Sequence, residues 1–485
     1  MTKTSSVVEQ VRKQLFIGGE WRDAEGAATL EVDNPATSGE LARVADASVA
    51  DGDAALSAAA AAQSEWARSA PRKRSEILRA AYELIVERTE VFAELMTLEM
   101  GKPLAESRGE VAYGSEFFRW FAEEAVRVSG RYSVAPNGAT RLMTMKQPVG
   151  PTLMITPWNF PLAMGTRKIG PAVAAGCTMV VKPAAETPLT MLYLAQVMEE
   201  AGLPAGVLNV ITTSNSGGVM EPLIRDPRSR KLTFTGSTPV GRTLIEQSAQ
   251  QVLRVSMELG GNAPFIVFDD ADVDAAVDGA MLAKMRNIGE ACTAANRFFV
   301  HADVAAEFSE KFAARMAGLT MGDGMTDGVD VGPLINAKAV DKVAALVADA
   351  TDRGARVVTG GGKGEGSGFF FTPTVITDLP GDAAMAREEI FGPVAGIQTF
   401  TDEADAIRRA NDTEFGLVGY FFTRDYARVI RVSEALEYGM VGVNQGVVSN
   451  PAAPFGGVKA SGFGREGGFE GIEEYLETKY VGLAL

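Results

Sequence analysis

Two cysteines supply all the thiols of this 485-residue chain, and their neighbours differ. Cys177 lies in Ala-Ala-Gly-Cys-Thr-Met-Val-Val, an apolar run that is typical of a buried core residue. Cys292 lies in Arg-Asn-Ile-Gly-Glu-Ala-Cys-Thr, a polar stretch with small residues, where a thiol can ionise to a nucleophile. The sequence therefore favours Cys292 as a catalytic nucleophile, although a partly exposed thiol without chemistry fits the same spacing.

Two further side chains could work with such a nucleophile. Glu258, in Met-Glu-Leu-Gly-Gly, is either a partly buried general base or a surface residue beside a strand. Asn159, in Pro157-Trp-Asn-Phe-Pro161, follows a predicted strand, and its amide could donate to a developing oxyanion. Asparagine is also common in ordinary turns, so each of these patterns is ambiguous when taken alone.

A phosphate-binding turn is indicated in Phe234-Thr-Gly-Ser-Thr-Pro-Val-Gly241. A short apolar strand leads to Gly236, and Ser237 can cap a helix that begins near Pro239. Free N–H groups at the start of a helix attract phosphate, and a glycine lets the backbone approach it. The alternative is a simple capped strand–turn–helix that binds no ligand.

The composition narrows the possible chemistry. Lys and Arg number 46 against 62 Asp and Glu, and the resulting net charge of −16 disfavours nucleic acid as a partner. His301 is the single histidine, so histidine catalysis and a zinc site are nearly excluded, and we expect no metal. The sequence has no long apolar stretch and no secretory signal at its start, which predicts a cytoplasmic protein without a membrane partner.

Alternating strands and helices must hold these residues. Residues 53–124 have helical spacing, and short apolar runs alternate with helical stretches from residue 150 onward. The runs form two series: 152–155, 178–181, 207–210, 232–234 and 265–268, then 297–300, 356–359, 394–400, 419–422 and 439–443. This alternation predicts two α/β domains with parallel sheets, joined near residue 256. Asn137-Gly138, between extended segments, predicts a two-residue hairpin.

Taken together and in order, several motifs resemble those of the aldehyde dehydrogenase superfamily: Pro157-Trp-Asn-Phe-Pro161, Met257-Glu-Leu-Gly-Gly261, Gly289-Glu-Ala-Cys292 and Glu388-Glu-Ile-Phe-Gly-Pro393. The resemblance implies a Rossmann-like cofactor domain (1–127 and 148–256) and an α/β catalytic domain (257–455). It also implies a small β oligomerisation projection (128–147 and 470–485), through which a homodimer or homotetramer would form.

The resemblance further implies a mechanism. Cys292 attacks an aldehyde, and the Asn159 amide and the Cys292 main-chain N–H hold the oxyanion. Hydride then passes to a nicotinamide, and Glu258 activates the water that cleaves the thioester. The residues that would contact the cofactor are Trp158, Lys182, Ala185, Gly236, Ser237, Glu389 and Phe391.

Two positions depart from the pattern of the family. NAD-preferring relatives commonly carry glutamate three residues after the lysine, whereas here Ala185 stands three residues after Lys182. A neutral residue removes the repulsion that a 2′-phosphate would meet, so NADP is favoured over NAD, and dual use stays open. Glu290 replaces a frequent glutamine, and its carboxylate would raise the pKa of the thiol at Cys292.

Within the superfamily, Thr166-Arg-Lys168, Lys284-Met-Arg-Asn287 and the run from Phe455 to Glu466 resemble the succinate-semialdehyde dehydrogenases. The similarity implies that Arg167, Arg286 and Ser449 bind the distal carboxylate of succinate semialdehyde, which is oxidised to succinate with NAD(P)+. Arg286 precedes Cys292 by six residues, about 9 Å if the segment is helical, a suitable reach. Three alternatives stay open: structural ion pairs at the arginines, another short ω-carboxylated aldehyde such as glutarate semialdehyde, and a binding protein that kept only the fold.

Overall fold

The computed structural model describes residues 4–484, with side chains from residue 6 onward. The strands are β1 Leu15–Ile17, β2 Glu20–Arg22, β3 Thr29–Asn34, β4 Gly39–Ala45, β5 Arg131–Val134, β6 Thr140–Pro148, β7 Thr152–Ile155, β8 Met179–Lys182, β9 Leu208–Val210, β10 Lys231–Thr235, β11 Arg254–Glu258, β12 Ala263–Val267, β13 Ala295–His301, β14 Arg356–Thr359, β15 Thr374–Thr377, β16 Val394–Phe400, β17 Val418–Phe422, β18 Met440–Val443, β19 Gly462–Phe463 and β20 Leu476–Ala484. The α-helices are α1 Thr4–Glu9, α2 Val49–Ala67, α3 Pro71–Glu87, α4 Thr89–Met100, α5 Leu104–Glu124, α6 Ala163–Ala175, α7 Pro188–Glu200, α8 Ser216–Ile224, α9 Thr238–Ala249, α10 Val273–Met285, α11 Ala302–Ala317, α12 Ala337–Asp352, α13 Ala384–Arg387, α14 Glu403–Asn411, α15 Tyr426–Ala435 and α16 Glu470–Glu473.

The first sheet has the strand order β19-β11-β10-β7-β8-β9-β1-β2. Its central strands β7 to β11 are parallel, and antiparallel strands are added at both edges. Along β7, Leu153 packs with Val180 in one core cluster, whereas Met154 packs with Met179 in another. Because neighbouring residues of a strand point to opposite faces, both faces of this sheet are buried, which confirms the predicted α/β class.

The second sheet has the order β14-β15-β16-β13-β12-β17-β18 and is parallel except at β14. The prediction that 265–268 belongs with the first series was wrong, because this segment is β12 of the second sheet. The first sheet is completed instead by β11, whose sequence Arg-Val-Ser-Met-Glu lacks a continuous apolar run. The chain crosses between the sheets at residues 259–262. The division into domains at the expected boundaries stays a prediction.

Helix α6 carries charged residues into the interior. Every residue of α6 is buried, Arg167 and Lys168 included. The carboxylate of Glu110 on α5 accepts the Leu162 and Ala163 N–H groups, at 2.9 and 3.0 Å, and so satisfies free donors at the start of the helix. Since α6 is fixed in this way, its two cations must find counter-charges inside the protein.

A separate three-stranded sheet has the order β20-β6-β5. Strand β20 pairs with β6 along nine residues, as expected for a projection that combines a hairpin with the chain's end; Leu485 lies outside the described residues. The prediction of a two-residue hairpin at Asn137-Gly138 was wrong. The Ala135 N–H donates to the Thr140 carbonyl, and the loop between them has four residues. A two-residue hairpin turn of type I′, which Asn-Gly favours, requires both of its residues to be left-handed. Of Asn137 and Gly138, only Gly138 is left-handed (φ 75°).

Across residues 4–484, no helix has the length and apolar character that crossing a membrane requires.

Candidate active site

One cleft of about 290 Å³ gathers most of the predicted site residues. Several of them directly follow the carboxyl ends of β7 and β10 or end β11, and these three strands are adjacent in the first sheet. Ligands of parallel sheets bind outside this edge because loops and helix starts converge there. The predicted residues that line the cleft are Trp158, Asn159, Gly236, Ser237, Glu258, Cys292, Glu389 and Phe391.

Cys292 lies between α10 and β13 and is partly exposed. A side chain at Gly261 would come within 2.5 Å of the Cys292 carbonyl, so the crossing segment needs glycine here. Burial raises the pKa of the Cys292 thiol to about 12, against the opposing charge of Arg167. The raised pKa disfavours the thiolate in the free protein.

Glu290 is fully buried two residues before the nucleophile. Its Oε1 accepts the Ile335 N–H at 3.2 Å, and burial raises the pKa of Glu290 well above its ordinary value. The Glu290 carboxyl is not among the main charges that act on the pKa of the Cys292 thiol. The acidic groups that raise the pKa of the thiol are instead Glu389 and Glu258.

The Asn159 side chain is held in one orientation. It is 3% exposed, and its Nδ2 donates to the Glu290 carbonyl at 3.0 Å. Its own main-chain carbonyl accepts from Lys102 Nζ at 2.7 Å. An amide nitrogen carries two hydrogens, so one N–H remains available to a ligand in the cleft.

Glu258, the last residue of β11, has the properties of a general base. Among residues 4–484, neither of its carboxyl oxygens has a hydrogen-bond partner. Burial raises the pKa of Glu258 well above its ordinary value and the Glu466 carboxylate raises it further, against Arg167 and Lys168. Free lone pairs and a raised pKa suit a carboxylate that takes a proton from water.

A second, narrower chamber adjoins Cys292 on the side away from the cofactor residues. Its walls include the three predicted carboxylate-binding side chains, and Arg286 Nη1 donates to Ser449 Oγ at 3.3 Å. The guanidinium of Arg286 lies over the rings of Tyr113 and Phe160, with its Cζ at 5.4 and 5.0 Å from their centroids. The chamber thus places positive charge and hydrogen-bond donors near the thiol.

Arg167 forms the structural ion pair that the sequence left open as an alternative, and its role in binding a carboxylate stays a prediction. It lines the chamber, and it also forms a buried ion pair with Glu466, which pairs with Lys168 as well. Its Cζ lies 4.0 Å from the centroid of the Phe455 ring, which fixes the guanidinium plane. Among the described residues its buried Nη2 has no hydrogen-bond partner, so this donor is free to meet a substrate anion.

The predicted adenosine end lies at the end of β8, outside the lining of the main cleft. Lys182 is buried, its Nζ donates to Ser216 Oγ at 2.9 Å, and burial lowers the pKa of Lys182 to about 8. Ala185 is half-buried beside it, and Glu186 is exposed. A lysine and a hydroxyl beside a small neutral residue form a donor set suited to a phosphate.

Two aromatic rings and a buried carboxyl line the cleft where the nicotinamide and its ribose would bind. The Trp158 and Phe391 rings meet edge to face, with centroids 5.4 Å apart. Glu389 Oε1 accepts the Gly261 N–H at 3.1 Å, and burial raises the pKa of Glu389 to about 7. Gly236 and Ser237 line the cleft just before α9; Ser237 is the N-cap residue, although its side chain makes no capping hydrogen bond. These residues fit a dinucleotide.

Three site residues escaped prediction from the sequence. Tyr113 lines the chamber, but its spacing to Phe117 on α5 indicates only a helix core. Glu466 contacts the site from a position far along the chain from the other site residues. Ser216 contacts Lys182, but no distinctive motif surrounds it in the sequence. Two-residue spacing and helical periodicity carry no signal for such long-range contacts.

Comparison with known proteins decides the family. The sequence matches the aldehyde dehydrogenase family over residues 21–481. The chain belongs to this family. A succinate-semialdehyde dehydrogenase of Paenarthrobacter nicotinovorans is 61% identical over 444 residues, covering 92% of this chain and 99% of the relative.

Two further similar proteins cover nearly the whole chain. A glutarate-semialdehyde dehydrogenase of Pseudomonas putida is 52% identical, with 97% of each chain covered. The crystal structure of an NADP-dependent enzyme of E. coli is 51% identical, covers 99% of each chain and has a TM-score of 0.97.

Proposed function

We propose that this aldehyde dehydrogenase oxidises succinate semialdehyde to succinate, with NADP+ favoured over NAD+. The observation that carries the proposal is the chamber in which Arg286, Arg167 and Ser449 adjoin Cys292. A substrate with an aldehyde at one end and a carboxylate at the other matches the chemistry of a thiol and two guanidinium groups that line one chamber. The cationic end also offsets the net charge of −16, which would otherwise repel an anion.

The chain's own residues account for each step around the thiol. The Cys292 thiol gives its proton to solvent, and the thiolate Sγ bonds to the aldehyde carbon while the carbonyl π electrons move to the oxygen. The free Asn159 N–H and the Cys292 main-chain N–H stabilise this oxyanion. The nicotinamide of the bound cofactor would accept the hydride that converts this adduct to a thioester. Glu258 takes a proton from water, whose oxygen bonds to the acyl carbon and releases succinate and the thiolate.

The cofactor preference rests on the adenosine end. Lys182 Nζ and Ser216 Oγ are 2.9 Å apart and could both donate to a 2′-phosphate. Ala185 offers no carboxylate to repel this phosphate or to hold a 2′-hydroxyl. Residues Gly236, Ser237, Trp158, Glu389 and Phe391 would hold the pyrophosphate, nicotinamide and ribose.

The proposal also covers assembly and location. Strands β5 and β20 are the edges of the projecting sheet, and Tyr132, Val134 and Tyr480 expose 66, 52 and 62% of their surface. Edge strands with exposed apolar residues favour pairing between subunits, and we infer a homodimer or homotetramer. Both cysteines are free, which suits a reducing cytoplasm.

Initial rates test the function. Succinate semialdehyde, glutarate semialdehyde and uncharged butanal are compared with NAD+ and with NADP+, for the wild type and for Arg286→Ala. We expect the carboxylated substrates to be strongly preferred, and the preference to be lost in Arg286→Ala but kept in Arg225→Ala, a surface control. One methylene is worth about 1–3 kcal/mol, so the two semialdehydes should differ by roughly 10- to 200-fold. Equal rates with butanal would refute the substrate assignment.

A further inference from the structure

The segment that leads into Cys292 has an unusual backbone. Asn287 (φ 54°, ψ 41°) and Ile288 (φ 61°, ψ 18°) are both left-handed, and Gly289 (φ 77°) continues the turn. A left-handed conformation is strained for a β-branched residue. The turn persists because Ile288 is buried in a hydrophobic core cluster and because Asn287 is tightly hydrogen-bonded.

The Asn287 side-chain amide bridges two main-chain carbonyls. Its Nδ2 donates to the Asn159 carbonyl at 3.0 Å and to the Glu290 carbonyl at 2.9 Å. Its main-chain N–H donates to Glu106 Oε2 at 2.9 Å. Asn287 is fully buried, and its Oδ1 has no hydrogen-bond partner among residues 4–484, so it acts through its donors.

The bridge closes a ring around Asn159. The Glu290 carbonyl that accepts from Asn287 also accepts from Asn159 Nδ2 at 3.0 Å. Both ends of Asn159, the side-chain amide and the main-chain carbonyl, are therefore tied to the segment that carries Cys292. The orientation of the remaining Asn159 N–H, and its separation from the Cys292 main chain, depend on this ring.

We propose that Asn287 is a positioning residue that aligns the two donors of the oxyanion hole. The inference rests on the proposed function, in which Asn159 and the Cys292 N–H stabilise the oxyanion. Without the amide bridge, the Asn159 carbonyl keeps only its bond from Lys102 and the Glu290 carbonyl keeps only its bond from Asn159, so the Asn159 N–H would be less precisely aligned with the position where charge develops. The competing explanation is that asparagine serves here only because it tolerates a left-handed backbone.

Asn287→Gly separates these explanations, because glycine keeps the left-handed backbone and removes the amide. Two rates are measured in the holoenzyme: the pre-steady-state burst of reduced cofactor, and alkylation of Cys292 by iodoacetamide, which forms no oxyanion. We expect the burst to fall about 10- to 100-fold, with alkylation and KM unchanged. If Asn287→Gly does not fold, Asn287→Asp takes its place in the test. Aspartate keeps the shape of the side chain and lacks the amide donors, so we expect the same fall in the burst.

Asn444→Gly is the matched control. Asn444 is also left-handed (φ 52°), and its side-chain amide bonds both the N–H and the carbonyl of Thr423 at 3.0 Å. We expect this control to lose thermal stability while keeping the burst. A burst that slows equally in both variants, or alkylation that slows together with the burst in Asn287→Gly, would overturn the proposal.

Asn159→Ala distinguishes the inference from the proposed function. If Asn159→Ala slows the burst and Asn287→Gly does not, the oxyanion role of Asn159 stands and the positioning role of Asn287 is refuted. If Asn159→Ala keeps the wild-type burst, the oxyanion role fails and the inference fails with it.

Discussion

Replacing Glu466 by glutamine should shift the pH at which Glu258 becomes an active base. The Glu466 carboxylate raises the pKa of Glu258, whereas Arg167 and Lys168, its ion-pair partners, lower it. Glu466→Gln removes the first effect and leaves the two cations uncompensated. Both changes favour the ionised form of Glu258, so its pKa should fall.

The size of the shift follows from the burial of the cluster. An opposite charge within about 4–6 Å lowers a carboxyl pKa by roughly 1–3 units, and the side chains of Arg167, Lys168 and Glu466 are at most 6% exposed, which limits screening. The rate of thioester hydrolysis falls at low pH as Glu258 is protonated, and the midpoint of this fall should move to lower pH by about 1–3 units. Leaving buried cations without their partner should also lower the free energy of unfolding by roughly 3–5 kcal/mol.

Single-turnover measurement of acid release between pH 5 and 9 would record the midpoint, and thermal unfolding would record the stability. Glu470→Gln, at an exposed position on α16, is the control and should change neither. A folded Glu466→Gln variant whose midpoint stays in place or moves to higher pH would refute the electrostatic coupling of Glu466 to Glu258.

Three more changes test other parts of the site. Tyr113→Phe removes a hydroxyl from the chamber that Ser449 also lines, so KM for succinate semialdehyde should rise about 10-fold, while KM for butanal stays constant in the same assay. Ala185→Glu places a carboxylate near Lys182, so KM for NADP+ should rise at least about 10-fold against KM for NAD+; an unchanged ratio would contradict the assignment of the adenosine end. Glu258→Gln removes a buried carboxyl whose pKa is raised in the folded state. Such a carboxyl destabilises the folded state progressively as the pH rises from the ordinary pKa of glutamate to the raised pKa. Differential scanning calorimetry should therefore show that the variant gains Tm over this pH window and gains none at lower pH.

The sequence predicts the fold well where one strand is one apolar run. Strand β7 coincides with its predicted range, and both series of runs alternate with helices as expected. It fails at β11, because Arg-Val-Ser-Met-Glu mixes polar and apolar residues, although neighbouring strands bury its last three positions. The hairpin loop was misjudged because Asn-Gly favours a short turn but does not fix strand register.

The candidate site was predictable where a motif is local. Cys292, Glu258 and Asn159 each lie in a short segment, and the structure places all three in one cleft. The surroundings that set their properties were not predictable. Glu466 reaches Arg167 from 299 residues away, and no local pattern reports such a pairing.

The position of β19 has a consequence for folding during synthesis. This strand completes the edge of the first sheet by pairing with Glu258 and Met257, yet it lies about 200 residues later in the chain. At about 5–20 residues per second, a ribosome needs roughly 10–40 s to add that stretch. During this interval the edge of β11 is unpaired and open to wrong partners. A nascent chain should therefore bind chaperones most strongly between the emergence of β11 and the emergence of β19.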